Sequence, residues 1–152
     1  MFCTGPTGTA LIRPSRVIQR LKVADVVEVT GALPRPALAA RMRAADVCVA
    51  PLRRDVRNQK QGCSPIKLFE YMAAGRGVLT TDLACTREIV DESRGVLIAS
   101  PRPKLLSERL LAMLEDTAGT QALGEAGRAV VAANRGALAR TRAKIAALLN
   151  DS

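Results

Sequence analysis

Residues 64–90 read SPIKLFEYMAAGRGVLTTDLACTREIV, and the order of their local signals decides the fold class. Ser64 is a good helix N-cap, and Pro65 at the first helical position has no N–H to leave unpaired. The helix predicted from that start runs to Ala74, where Gly75 supplies the stop. Val78–Asp82 then reads as a strand, and Thr86–Val90 as a short helical turn. A helix that delivers the chain straight into an apolar strand is the alternation expected of an α/β layered domain.

The same alternation continues in both directions. Toward the amino end, Val47–Leu52 (VCVAPL) is a second apolar strand, and Arg53–Gly62 after it is the most polar stretch of the chain. Arg35–Ala45 reads as a helix with Leu38 and Met42 one turn apart, and the β-branched Val26–Thr30 as a strand bounded by Gly31. Ser15–Lys22 is predicted helical, with Pro14 and Ser15 at its start and Val17, Ile18 and Leu21 on one face. Thr7–Arg13 has little periodicity, and Met1–Thr4 is a short strand stopped by a turn at Gly5-Pro6.

Toward the carboxyl end come a strand at Gly95–Ala99 and a strongly helical run from Lys104 to Glu115, carrying Leu105, Leu106, Leu110, Leu111 and Leu114. Two further helices follow at Thr120–Ala133 and Ala137–Leu149. The strands are apolar at successive positions rather than alternately, as in a parallel sheet covered by helices on both faces. The expectation is one α/β domain over residues 1–152, ending in a tail helix at 135–152.

Composition narrows the partners. The chain has 152 residues, 48% of them hydrophobic, and a net charge of +9 from 23 Lys and Arg against 14 Asp and Glu. Such a field favours anionic partners: nucleotides, phosphates, nucleic acid, or an anionic membrane surface touched peripherally. A solvated surface biased toward arginine gives the same total. With two Phe, one Tyr and no Trp, there are few rings on which single-stranded bases could stack, so specific nucleic-acid recognition is not expected.

The absence of His removes the commonest general base and the usual catalytic triads. Cys3, Cys48, Cys63 and Cys85 lack metal-ligand spacing and read as small packing residues in a reducing cytoplasm. Neither a metal nor a cofactor is expected. No apolar run approaches the length of a membrane span, and the start is not a signal peptide.

In an open parallel sheet, ligands bind at the carboxyl ends of strands against helix N-termini. Two loops fit that description, Arg53–Ser64 and Leu83–Thr86. The first carries Arg53, Arg54, Arg57 and Lys60 and leads into a helix whose opening N–H groups suit a diphosphate or sugar hydroxyls. Glu70 stands out as a lone carboxylate in an otherwise apolar helix. It is either solvated or able to accept from the vicinal hydroxyls of a ribose.

Residues 26–116 resemble the C-terminal domain of family-four retaining glycosyltransferases, in which two Rossmann-like domains face each other across a nucleotide sugar. The resemblance is carried by VEVTGALPRPALAARMRAADVCVAPL at 27–52, by the segment at 64–90, and by GVLIASPRPKLLSERLLAMLED at 95–116. It implies a Rossmann-like, donor-binding domain of an enzyme that moves a sugar from a nucleotide-diphosphate carrier to an unidentified acceptor. Glu70 then matches the glutamate that holds the ribose hydroxyls. Ser64, Pro65 and Ile66, with Lys67 beside them, match the helix opening that faces the diphosphate and sugar. Thr86 and Glu88 fall on the turn bordering the base and ribose pocket.

The resemblance has three departures. The family's first glutamate of the pair falls here on Gly62. The family's first strand of this domain and the whole acceptor-binding domain would precede Met1, so the chain alone is expected to lack a complete active site. A non-catalytic module that keeps the fold stays open as the alternative.

Overall fold

The computed structural model describes residues 2–4, 9–59, 64–98 and 100–133. The expected Gly5-Pro6 turn, Lys60, Gly62, the helix at Ala137–Leu149 and the tail at 135–152 lie outside them. The chain forms two compact units, Met1–Arg41 and Met42–Ser152.

In the first unit, β1 (Phe2–Thr4) and β2 (Glu28–Gly31) pair in parallel, joined through helix α1 (Thr9–Leu21). The helix begins six residues before the expected Ser15 and runs through Pro14. A proline deletes one N–H from the ladder, and the Ala, Leu, Arg and Gln residues around it are strong helix formers. At its far end Lys22 takes a left-handed conformation, φ 55°. The N–H of Val23 reaches back to the Ile18 carbonyl at 3.2 Å to close the turn. Glycine usually fills that position. Glu28 receives both guanidinium arms of Arg41, with Nη2 donating to Oε1 at 2.7 Å. These hydrogen bonds hold the Glu28 carboxyl below its ordinary value.

Helix α2 (Arg35–Ala44) crosses the boundary between the units. The second unit is built on β3 (Val47–Ala50), β4 (Gly77–Thr81) and β5 (Val96–Ile98), all parallel in the order β3-β4-β5. Val47 lies opposite Gly77 and Ala50 opposite Thr80 on one side of β4, and Leu79 lies opposite Val96 on the other. The central strand is buried at every position, as its unbroken apolar reading predicted. Of its two buried hydroxyls, Thr80 Oγ1 donates to the Ala50 carbonyl at 2.9 Å, whereas Thr81 Oγ1 has no hydrogen-bond partner among the described residues.

Both faces of this sheet are covered, giving the three-layered α/β arrangement read from the sequence. Helices α4 (Ile66–Ala73) and α7 (Thr117–Ala133) close one face, where Leu68 and Met72 join Ala50, Val78, Ile89 and Val90. Helix α6 (Pro103–Glu115) closes the other, where Met113 meets Leu79 and Ile98, and Leu105, Leu106 and Leu110 complete the layer. No described helix is long and apolar enough to cross a membrane.

Three further local expectations need correction. The N-cap of α4 is Pro65, in extended conformation, rather than Ser64, and no side chain caps the helix. The buried Pro65 ring sets the entry, and its carbonyl takes the N–H of Leu68 at 2.9 Å. Second, the polar loop after β3 contains a short helix, α3 (Val56–Gln59), begun by the Asp55 carboxylate accepting from the Asn58 N–H at 2.9 Å. Third, α7 starts at Thr117 rather than Thr120 because Asp116 does double duty. It ends α6, and its Oδ1 caps the next helix through the Gly119 N–H at 2.9 Å.

The end of α4 is as expected. Gly75 turns left-handed at φ 71°, and the N–H of Arg76 returns to the Tyr71 carbonyl at 3.3 Å. Helix α7 crosses directly over this turn. A Cβ built on Gly124 would stand 2.5 Å from the Gly75 carbonyl oxygen and 2.9 Å from the carbonyl carbon of Arg76. The absence of a side chain at 124 is what lets the two backbones touch.

Candidate functional site

The carboxyl ends of β3 and β4 deliver the chain into the two loops singled out from the sequence, and the structure brings those loops together. From the β3 side, Arg54 Nη2 donates to the Asp82 carbonyl at 3.0 Å. From the β4 side, the thiol of Cys85 donates to the Asn58 carbonyl at 3.5 Å. Residues 53–59 are therefore fastened to helix α5 (Ala84–Arg87) and its approach.

Thr86 builds that approach. It is fully buried, its Oγ1 accepts from the Leu83 N–H at 2.9 Å, and its hydroxyl donates to the Thr81 carbonyl at 2.6 Å. A hydroxyl so engaged and fully buried shapes the rim through the backbone and has no proton left to donate to a ligand. Glu88 ends α5 through its N–H to Ala84 at 3.4 Å and is exposed.

Asp82 is the charged centre of the turn. Its carboxylate takes two hydrogen bonds from Arg87, from Nε and from Nη2, the latter at 2.7 Å. Those bonds depress the Asp82 carboxyl below its ordinary value; partial burial opposes them, and the charges of Arg87 and Arg54 assist. A carboxylate whose folded value lies below its unfolded one adds stability above the unfolded value and loses it as pH falls through the folded one. Asp82→Asn should therefore lower the urea midpoint at neutral pH, and its curve should meet wild type once the pH has fallen below the depressed folded value. A constant difference across that range would assign the effect to packing instead.

The remaining candidates lie together at the start of α4. Ser64 is exposed, Pro65 buried, and Ile66, Lys67 and Glu70 all face solvent. Ile66 is 69% exposed and Phe69 41%, while Leu68 and Met72 are sealed in the core. The burial of one side thus turns the other side, with Ile66 and Glu70 one turn apart, outward from the sheet. The opening amides of Ile66 and Lys67 precede any intrahelical acceptor. No acidic residue stands in the first turn, and Lys67 adds positive charge to the positive end of the helix dipole. That arrangement disfavours an isolated helix and favours an anion. Among the described residues no hydrogen bond or ion pair engages the Glu70 side chain. No hydrogen bond among the described residues joins the opening of α4 to the Asp82 turn.

Cys48 and Cys85 are buried free thiols. Burial pushes the Cys48 thiol up to about 11, against an opposing pull from the Arg76 charge, so it is an inert packing residue. Among the described residues no cluster of acids or cysteines could hold a metal. An open groove of about 370 Å³ is lined by Val96, Arg109, Met113, Asp116 and Thr120 among others. It lies at the amino ends of β4 and β5, away from the loops above.

Sequence reading gave the α4 candidates and the arginines of the β3 loop, but missed Asp82 and Arg87 as a pair. The available signal was an aspartate closing an apolar strand, with an arginine five residues on across a turn.

The family model for glycosyl transferases group 1 matches residues 4–116. Among solved structures, the sucrose-phosphate synthase of Thermosynechococcus elongatus is similar over 99% of this chain and 38% of its own, at 23% identity and TM-score 0.80. Anabaena HepE in complex with UDP-glucose is similar over 99% of this chain and 40% of its own, at 19% identity and TM-score 0.75. The same protein with UDP and glucose gives 18% identity and TM-score 0.76, with the same coverage. The chain thus spans about 40% of the length of the structures it matches. No curated protein matches it.

Proposed function

The chain belongs to the glycosyl transferases group 1 family, and on that premise we propose that it forms the donor-binding part of a glycosyltransferase using a nucleotide-diphosphate sugar. The carrying observation is the outward side of α4. It presents an uncapped helix opening, Lys67 beside it, and the unengaged carboxylate of Glu70 one turn further along. A diphosphate at the opening would meet backbone N–H groups, and a ribose about 5–6 Å along the axis would meet Glu70.

In this reading the donor bond breaks at the sugar's anomeric carbon, and the departing diphosphate is stabilised by the helix amides and by Lys67. That role is electrostatic and requires no proton transfer from the protein, consistent with a chain that has no His. Ser64, Pro65 and Ile66 shape the diphosphate end, and Thr86 and Glu88 border the nucleoside end. The acceptor is supplied by a partner domain. The UDP and UDP-glucose in the Anabaena HepE complexes support a uridine carrier, and buried free thiols at Cys48 and Cys85 support a cytoplasmic setting.

Calorimetric titration with UDP, GDP and ADP tests the assignment. Glu70→Ala should weaken the nucleotide that wild type binds by about ten- to a hundredfold, the worth of a charged hydrogen-bond partner. Glu70→Gln should fall between the two. Because Glu70 is exposed, unfolding of either variant should stay within about 0.5 kcal/mol of wild type. Equal nucleotide affinity in wild type and Glu70→Ala would remove the ribose role. A wild type that takes none of the three nucleotides would remove the donor-binding reading itself.

A further inference from the structure

Four segments meet at Asp82, and they meet through three different groups of that residue. Its N–H donates to the Ile98 carbonyl at the end of β5, at 2.7 Å. Its carbonyl accepts from Arg54 at 3.0 Å. Its carboxylate accepts from Arg87 on α5. The bond from Arg54 is the one that reaches furthest along the chain, across 28 positions, and it ties in a loop with no strand of its own to hold it.

That loop is already closed on itself. The Asn58 side-chain amide donates to the Arg53 carbonyl at 2.8 Å, and the Asn58 N–H donates to Asp55. Its far end is fastened by the weaker thiol bond from Cys85 to the Asn58 carbonyl. Two described hydrogen bonds thus tie segment 53–59 to the turn at 82–87, and Arg54 supplies the stronger. A guanidinium stays charged at every working pH, and its N–H groups make strong donors to a carbonyl.

We propose that Arg54 is a positioning residue of the donor site. By bonding the Asp82 carbonyl it holds segment 53–59 against the turn at 82–87, so that the rim over the carboxyl ends of β3 and β4 is set before a ligand arrives. Its effect on nucleotides rests on the donor-binding reading above. The effect on the loops does not. Arg54 acts through the backbone it pins and need not touch the ligand. Preorganisation of this kind raises affinity by removing an ordering cost from the binding step.

Hydrogen exchange and UDP titration on the full chain, with Arg54→Ala and Arg54→Lys beside wild type, separate the two parts. In Arg54→Ala the amides of both 53–59 and 83–87 should exchange faster, by roughly threefold or more, as local opening becomes easier. Amides of the sealed strand β4 should not change. UDP affinity should fall about three- to tenfold, the worth of one ordinary hydrogen bond. Arg54→Lys keeps a donor and should recover most of both effects, which mere loss of a surface side chain would not explain. Unchanged exchange at 83–87 in Arg54→Ala overturns the proposal, as does undiminished UDP binding by that variant beside a wild type that binds UDP. A wild type that does not bind UDP would overturn the donor reading and Arg54's part in it, while the exchange data would still decide whether Arg54 joins the loops.

Discussion

Gly124→Val is expected to unfold the unit that contains α4 and α7, or to leave it folded only marginally. A Cβ at 124 would lie 2.5 Å from the Gly75 oxygen and 2.8 Å from its carbonyl carbon, distances that no rotamer can relieve because the obstacle is main chain. Overpacking costs about 1–3 kcal/mol in ordinary cores, and valine adds two further methyls at the same point. Alanine makes the sharper test. Glycine inside a helix is worse than alanine by about 1 kcal/mol, so with open space Gly124→Ala would raise stability by that amount. The expectation is the opposite sign, a net loss measured as a lower urea midpoint. A stabilised Gly124→Ala would mean that α7 does not approach the Gly75 turn this closely.

Leu68→Ala is the second large effect, expected at about 2–5 kcal/mol from lost burial and the cavity left behind. Leu68 has no exposed surface and packs with Ala50, Met72, Val78, Ile89 and Val90, contributed by strands and helices that cannot all close inward on the gap. The consequence for the site is as important as the stability. Leu68 and Met72 fix the rotation of α4 about its axis, and that rotation aims Glu70 outward. Leu68→Ala should therefore weaken nucleotide binding under conditions where circular dichroism still reports a folded chain, whereas Glu70→Ala should weaken binding with no change in midpoint. If Leu68→Ala unfolds with wild-type midpoint, α4 is not seated as described.

The layered fold was legible in the sequence because its signals are local and mutually consistent. VCVAPL is apolar at successive positions, GVLTT pairs apolar with β-branched residues and has no charge, Gly75 stops a helix before the next strand, and Leu105, Leu106 and Leu110 line one helix face. What was less legible depends on long-range contacts. Pro14 looks like a helix start because proline cannot accept a preceding turn cheaply, and only the surrounding helix formers override it. Pro65 displaces Ser64 as the N-cap because its ring is buried, which periodicity does not report.

The candidate site divides the same way. Residues 64–70 are contiguous, so their placement on one helix opening could be read directly. The joining of Arg54 to Asp82 pairs positions far apart in the chain through a main-chain carbonyl, which leaves no residue-type signature. Thr86 illustrates the opposite case: a polar residue near the site whose hydroxyl is consumed by the turn it builds.

Considered as a unit of inheritance, α4 and the helix that crosses its end belong together. Asp116 both closes α6 and caps α7, so the joint between those helices is a single residue. Helix α7 lies wholly beyond it, yet lays Gly124 on the Gly75 turn and Gly127 within 3.1 Å of Met72 for an added Cβ. A recombination crossover at that joint would set the KLFEYMAAG helix against a foreign neighbour bearing an ordinary side chain at that contact. The smallest block that relatives could trade without repair therefore includes α7, and the two glycines of α7 must travel with the motif they touch.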